Sequence, residues 1–217
     1  MKVTYSQDDF RRTVLSAEPG EYDGYPVVAD LLVEALPSRL SRFRESTAAA
    51  LPFLTLMNGA LETERPLFPL TASLLREASP FELQPAQIEW TPADIPKGSG
   101  GLVVSSGSQM KFVGGAMNGC AELRLLRTSE FSGAISTSNQ CITSTNLWLI
   151  KELEGDDRFL LSMLAIGALF AEDFDANRLI LVTDAEFERI DPMLIQRVLE
   201  SVGLRFEIQK SEGLNAD

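Results

Sequence analysis

Lys97-Gly98-Ser99-Gly100-Gly101 is the stretch whose residue types best suit chemistry at a backbone: three glycines leave amides open to an approaching anion, and Lys97 supplies the opposite charge. Neither the dinucleotide fingerprint nor the P-loop pattern is present, and no helix signal follows directly. The expectation is an anion-binding loop without a helix dipole behind it; the competing reading is a flexible entry to the segment that follows.

Acidic chemistry gathers further along. Asp173-x-Asp175-x-Asn177 opens like a calcium loop, but Arg178 stands where a glycine must make the sharp turn, so an EF-hand fails. Glu172, Asp173 and Asp175 nevertheless fall at the end of an expected helix, where the dipole disfavours anions by about 0.3 to 1 kcal/mol each. A cation or a partner's basic residues would compensate them; otherwise they form a solvated acidic turn. Asp184, just after the apolar run ending at Val182, is placed like a catalytic carboxylate at the carboxyl end of a strand.

Two further matches are weaker in chemistry than in spelling. Ser108-Gln109-Met110-Lys111 has the Ser-x-x-Lys spacing of serine acyl-transfer enzymes, and Ser144-x-Asn146 resembles its companion, but the later Lys-Thr-Gly is missing. That spacing joins two side chains on a helix, whereas Lys111 falls in a strand-like run where positions three apart face opposite ways. Cys120 and Cys141 have no metal-ligand spacing, so a structural zinc is excluded unless another chain contributes ligands; a reduced pair is expected. Arg39, Arg42 and Arg44 form the densest basic cluster and are read as surface ion-pair partners.

The chain has 0 histidines in 217 residues, which excludes Ser-His-Asp and Cys-His sites, His-ligated metals and imidazole bases within one chain. Its net charge of −12 divides into −5 for residues 1–97, +1 for 98–146 and −8 for 147–217. Such a field repels phosphate backbones and acidic membranes, which disfavours nucleic acid as a partner. The first nine residues do not read as a secretory signal and the uncharged stretches are too short or too polar to span a bilayer, so a soluble cytoplasmic protein is expected.

The elements that must position these residues are read from periodicity. Helices are expected from Ser6 or Gln7 to Leu15, from Pro26 to Leu36, from a Ser38 cap through Thr47 with a break at Pro52, and from Pro69 to Glu77. Gln87–Thr91 alternates as a strand with Ile88 and Trp90 on one face. Residues 98–146 then hold 8 of the 15 glycines, 9 serines and 4 threonines, which suits either anion loops or strands joined by tight turns.

Asn118-Gly119 suits a two-residue hairpin turn. Pairing Met117 with Cys120 segregates Met110, Phe112, Gly114, Ala116, Ala121, Leu123 and Leu125 from Lys111, Val113, Gly115, Glu122 and Arg124. Strands are also expected at Gly101–Ser105, Gly133–Ser136, Cys141–Ile150, Arg178–Val182 and Leu204–Gln209. A buried helix is expected at Phe159–Ala171 and a capped one from Asp191-Pro192 to Gly203, with residues 211–217 fraying.

The expected fold is α+β: a helical N-terminal part, a central mostly antiparallel sheet with a buried helix, and a C-terminal β-α-β-like unit. Two regions are expected, 1–85 and 86–217, or one continuous domain. The functional expectation is a non-catalytic interaction or assembly protein whose partner is a basic protein surface or a second copy of itself. The alternatives are a carboxylate- or metal-dependent enzyme using Asp173, Asp175 or Asp184, and a virus or phage structural component. The sequence indicates no particular cofactor.

Overall fold

The computed structural model describes residues 1–91, 94–107 and 119–210. From the N-terminus these form strands β1 (Lys2–Gln7), β2 (Thr13–Glu18) and β3 (Asp30–Val33), then helix α1 (Arg42–Ala50) and a 3-10 turn (Leu51–Leu56). There follow β4 (Gly59–Thr63), α2 (Pro69–Ala78), β5 (Leu83–Pro85), β6 (Gly100–Ser106), β7 (Ala121–Arg127), β8 (Ala134–Ser136) and β9 (Gln140–Thr145). The chain continues with α3 (Leu147–Glu154), α4 (Asp156–Phe170), β10 (Ala176–Val182), α5 (Pro192–Glu200) and β11 (Arg205–Gln209). The architecture is mixed α and β, with one sheet in the order β11-β10-β6-β7-β9-β3-β2-β1-β4-β5 and β8 paired to β9.

The N-terminal part is strand-rich, against the helical expectation. Asp8 accepts hydrogen bonds from the amides of Phe10 (3.0 Å) and Arg12 (2.9 Å), and Arg11 takes a left-handed φ of 60°. This turn reverses the chain where a helix was expected and sets Val3 against Ala17 and Tyr5 against Leu15. The expected second helix is instead a loop followed by β3, whose Leu31 and Val33 are fully buried at a spacing of two. Tertiary pairing with β2 wins over a pattern that also fits helical spacing. The third helix forms, but its cap is Ser41 rather than Ser38, and Pro52 sits in the first turn of the 3-10 turn that follows it. Pro69–Ala78 is helical as expected.

The central sheet is also corrected. β6, β7, β9, β10 and β11 pair only in parallel with one another. Residues 110–117, the first half of the expected hairpin, lie outside the described residues. The second half, β7, has β6 on one side and β9 on the other, so neither of its edges is open to an antiparallel partner. Ala121, Leu123 and Leu125 on one side and Glu122 and Arg124 on the other are the two faces of a strand in the middle of a sheet. Gln87–Thr91 makes one bridge, Leu67 to Ile88, instead of a strand. The expected strand at Cys141–Ile150 stops at Thr145 and continues as α3.

The later elements match. α4 is buried along its length from Asp157 to Phe170, lying between the parallel strands and the α1 layer. Gly155, at φ 89°, makes the break between α3 and α4 that a side chain would strain. Asp191 caps α5 by accepting from the Met193 amide at 2.8 Å, and β10-α5-β11 is a parallel β-α-β unit. The antiparallel strands β1–β3 join the parallel ones through the single pair Val33 and Thr145.

Candidate functional site

The acidic turn after α4 and the glycine loop before β6 meet. Asp175 takes a left-handed φ of 49°, and its carbonyl accepts the Ser99 and Gly100 amides at 2.8 and 2.9 Å. Its carboxylate accepts the Ser99 hydroxyl at 2.6 Å. A side chain at Gly98 would stand 2.4 Å from the Ala176 backbone, so only glycine allows this approach. Two amides of the candidate anion loop are therefore donated to protein oxygen. Lys97 and Gly98 instead line a small cavity of about 150 Å³ with Arg39, Glu172 and Asp175.

Asp173 accepts from the Ser38 amide (2.9 Å), the Ser38 hydroxyl (2.6 Å) and the Arg39 amide (2.8 Å). Glu172 accepts from the Ser41 amide at 2.7 Å and lies 3.9 Å from the Arg44 guanidinium. The acids that end α4 are thus placed against donors leading into α1, which offsets their repulsion by the helix dipole. Arg44 is no surface partner: it is 1% exposed, and it donates to the carbonyls of Val202 (3.2 Å) and Pro96 (3.1 Å). Burial lowers its pKa, and the Glu172 charge works in the other direction.

Asp184 is exposed at the opposite end of β10 from Asp175, roughly 30 Å away along extended chain. Glu172, Asp173 and Asp175 gather; Asp184 does not join them. Among the described residues no three His, Cys, Asp or Glu side chains are arranged to hold a metal ion. Ser108–Lys111 lies outside the described residues. Ser144 and Asn146 stitch the two parts of the sheet: the Ser144 hydroxyl donates to Glu34 at 2.6 Å, and Asn146 binds the Leu32 amide at 2.8 Å and the Asp30 carbonyl at 2.7 Å. Cys120 and Cys141 are unbridged, and burial pushes the Cys141 thiol up to about 11.

One feature of the surface escaped sequence reasoning. In the loop 19–29 between β2 and β3, Tyr22 is 73% exposed, Tyr25 77% and Val27 69%. The intervening residues are fastened inward. Asp23 accepts from the amides of Gly20 and Asn58, both at 2.7 Å, and pairs with the N-terminal ammonium at 2.6 Å. Burial alone would raise the Asp23 pKa, but these donors outweigh it and hold it below the usual carboxylate value. The Gly24 amide donates to Leu56, and Val28 is held at both ends, by Glu154 at 2.8 Å and by buried Arg158 at 2.7 Å. The available signal was the interleaving of Pro19, Gly20, Gly24 and Pro26 with tyrosines, which marks a shaped loop and not a helix.

A second concavity lies at the carboxyl ends of β6, β7 and β9. It measures about 230 Å³ and is walled by residues of those strands, of α3 and of the start of α4. No family model, curated protein or solved structure matches this chain.

Proposed function

We propose that this chain is a non-catalytic interaction protein that docks a basic protein surface on the face formed by Tyr22, Tyr25 and Val27. The observation that carries the reading is the contrast within loop 19–29: three large side chains stand in solvent on a backbone fastened at Gly20, Asp23, Gly24 and Val28. Tyrosine supplies contact area at low side-chain entropy, and a backbone already held in place loses little freedom on binding. Glu18, Glu21 and Asp30 flank the apolar residues, matching the chain's net charge of −12 and favouring a cationic counterpart.

The test replaces Tyr22, Tyr25 and Val27 together by serine and compares both proteins in cross-linking from position 21 with extract of the native cell. The wild-type chain should give a discrete adduct that weakens with added salt, and the triple variant should not. Equal adducts from both proteins overturn the reading. Light scattering reports whether the captured species is a second copy of the chain.

An enzymatic reading is favoured by one observation. β6 and β10 are neighbours although the chain runs outward from them in opposite directions, to β7 and β9 on one side and β11 on the other. Ligands of open parallel sheets bind beyond the carboxyl ends at such a reversal, which is where Asp184 stands. Saturable thermal stabilisation by magnesium or manganese, abolished in Asp184→Asn, would support this reading over the first.

A further inference from the structure

We infer that the cavity at the carboxyl ends of β6, β7 and β9 is a binding site for a small organic carboxylate with an apolar or aromatic body. This site is independent of the tyrosine face. Leu125, Arg127 and Thr145 reach it because alternate residues of β7 and β9 point to the side of the sheet that carries α4, and register aligns Arg127 with Thr145. α3 brings Trp148 from its first turn and Lys151 from its last, and the first turn of α4 brings Phe159.

Two cations in this wall have unspent capacity. The Trp148 ring lines the cavity, while its indole nitrogen is turned away from solvent. Arg127 lies over the Trp148 ring at 5.4 Å, and the one carboxylate near it, Glu152, is 3.9 Å away with both side chains half-exposed, a pairing of little strength. Lys151 rests over the Phe159 ring at 4.9 Å. Cations placed on aromatic faces keep their hydrogen-bonding protons for another group. In a chain of net charge −12, a cavity lined among the described residues by two cations and one carboxylate is a local reversal of sign that selects an anion.

Size and lining narrow the anion further. At about 230 Å³ the cavity is smaller than the sites of drug-sized ligands. Leu125, Leu147 and Phe159 are at most 3% exposed and form an apolar floor, which a bare phosphate would leave unused. A flat carboxylate would set its body on this floor and its oxygens toward Arg127 and Lys151.

The test uses the full chain with Trp90, an exposed residue, replaced by phenylalanine, so that Trp148 is the sole tryptophan reporter. Phenylacetate is titrated while the indole emission is followed, with 2-phenylethanol and inorganic phosphate as separate arms. The expected result is a saturable change with phenylacetate, at least about tenfold tighter than with either control. Arg127→Gln and Lys151→Gln should each weaken it by about tenfold, and Glu152→Gln should tighten it. Both cations are exposed, so far-UV circular dichroism and thermal melting should match the parent. No saturable change with phenylacetate, equal response to phosphate, or indifference to both cation variants in folded protein would overturn the proposal.

Discussion

The antiparallel strands β1–β3 and the parallel strands β6, β7 and β9 present their loops in opposite ways. Around β1–β3, charged groups are buried to fasten the backbone: Asp23 and Arg158 hold loop 19–29 from beneath, and what reaches solvent is Tyr22, Tyr25 and Val27 among the acidic Glu18, Glu21 and Asp30. At the carboxyl ends of β6, β7 and β9 the strands are held by apolar packing on α4, and the cations that reach the concavity, Arg127 and Lys151, are only loosely paired. Where buried donors and acceptors satisfy one another they build a rigid platform; where donors are left over they build a site for something else.

That comparison predicts a ranking of mutational effects. The largest belongs to Arg158→Met, which frees the carbonyls of Val28 and Pro52 and leaves Glu154 without its cation. Breaking such a pair should cost about 3 to 5 kcal/mol in urea unfolding. If the loss is small, loop 19–29 is held by packing and not by charge.

Asp23→Asn should cost about 2 to 3 kcal/mol at neutral pH, since it loses charge-assisted bonds to Gly20, Asn58 and the ammonium. Its pH dependence has a definite sign. The folded pKa lies below the unfolded value, so the carboxylate's contribution is present above about pH 4 and is lost as pH falls through the folded pKa. The gap between wild type and variant should therefore close in acid; a constant gap would mean that the asparagine disturbs packing.

Ser144→Ala tests the seam between the two regions. Its hydroxyl is the leading reason that the Glu34 carboxyl titrates below its usual range, and Glu34 also accepts the Gly133 amide. The expected loss is about 1 to 2 kcal/mol, measured by thermal unfolding. Smallest of all, Arg127→Gln and Lys151→Gln at the parallel edge should change stability by less than about 0.5 kcal/mol. The serine replacements at Tyr22, Tyr25 and Val27 should behave the same way. A large loss at either place would mean that these residues support the fold.

Legibility in the sequence followed locality. Phe159–Ala171 is apolar on every side and can only be a buried helix, and Asp191-Pro192 carries its own capping chemistry, so both were readable without the rest of the molecule. The helix expected from Ser6 or Gln7 to Leu15 is instead the end of one strand, a turn and the start of the next, because the apolar pattern there is short and the deciding groups, the Asp8 carboxylate and a left-handed Arg11, form one turn. Residues 97–101 and 172–175 were singled out separately; only the folded chain brings them together, with Ser99 bonded to Asp175. Loop 19–29 was missed because the groups that shape it, Asn58, Glu154 and Arg158, lie up to 130 residues away.

By itself the sequence determined the mixed α and β composition, the absence of histidine chemistry, the acidic surplus and those helices and strands whose pattern is complete within one window. The tertiary structure decided strand direction and the use of each polar group. Side-chain alternation is identical for parallel and antiparallel neighbours, so β7 looked like half of a hairpin until its two neighbours were known. Whether a carboxylate or cation is spent or free is likewise a property of its partners across the fold, which a local window does not contain.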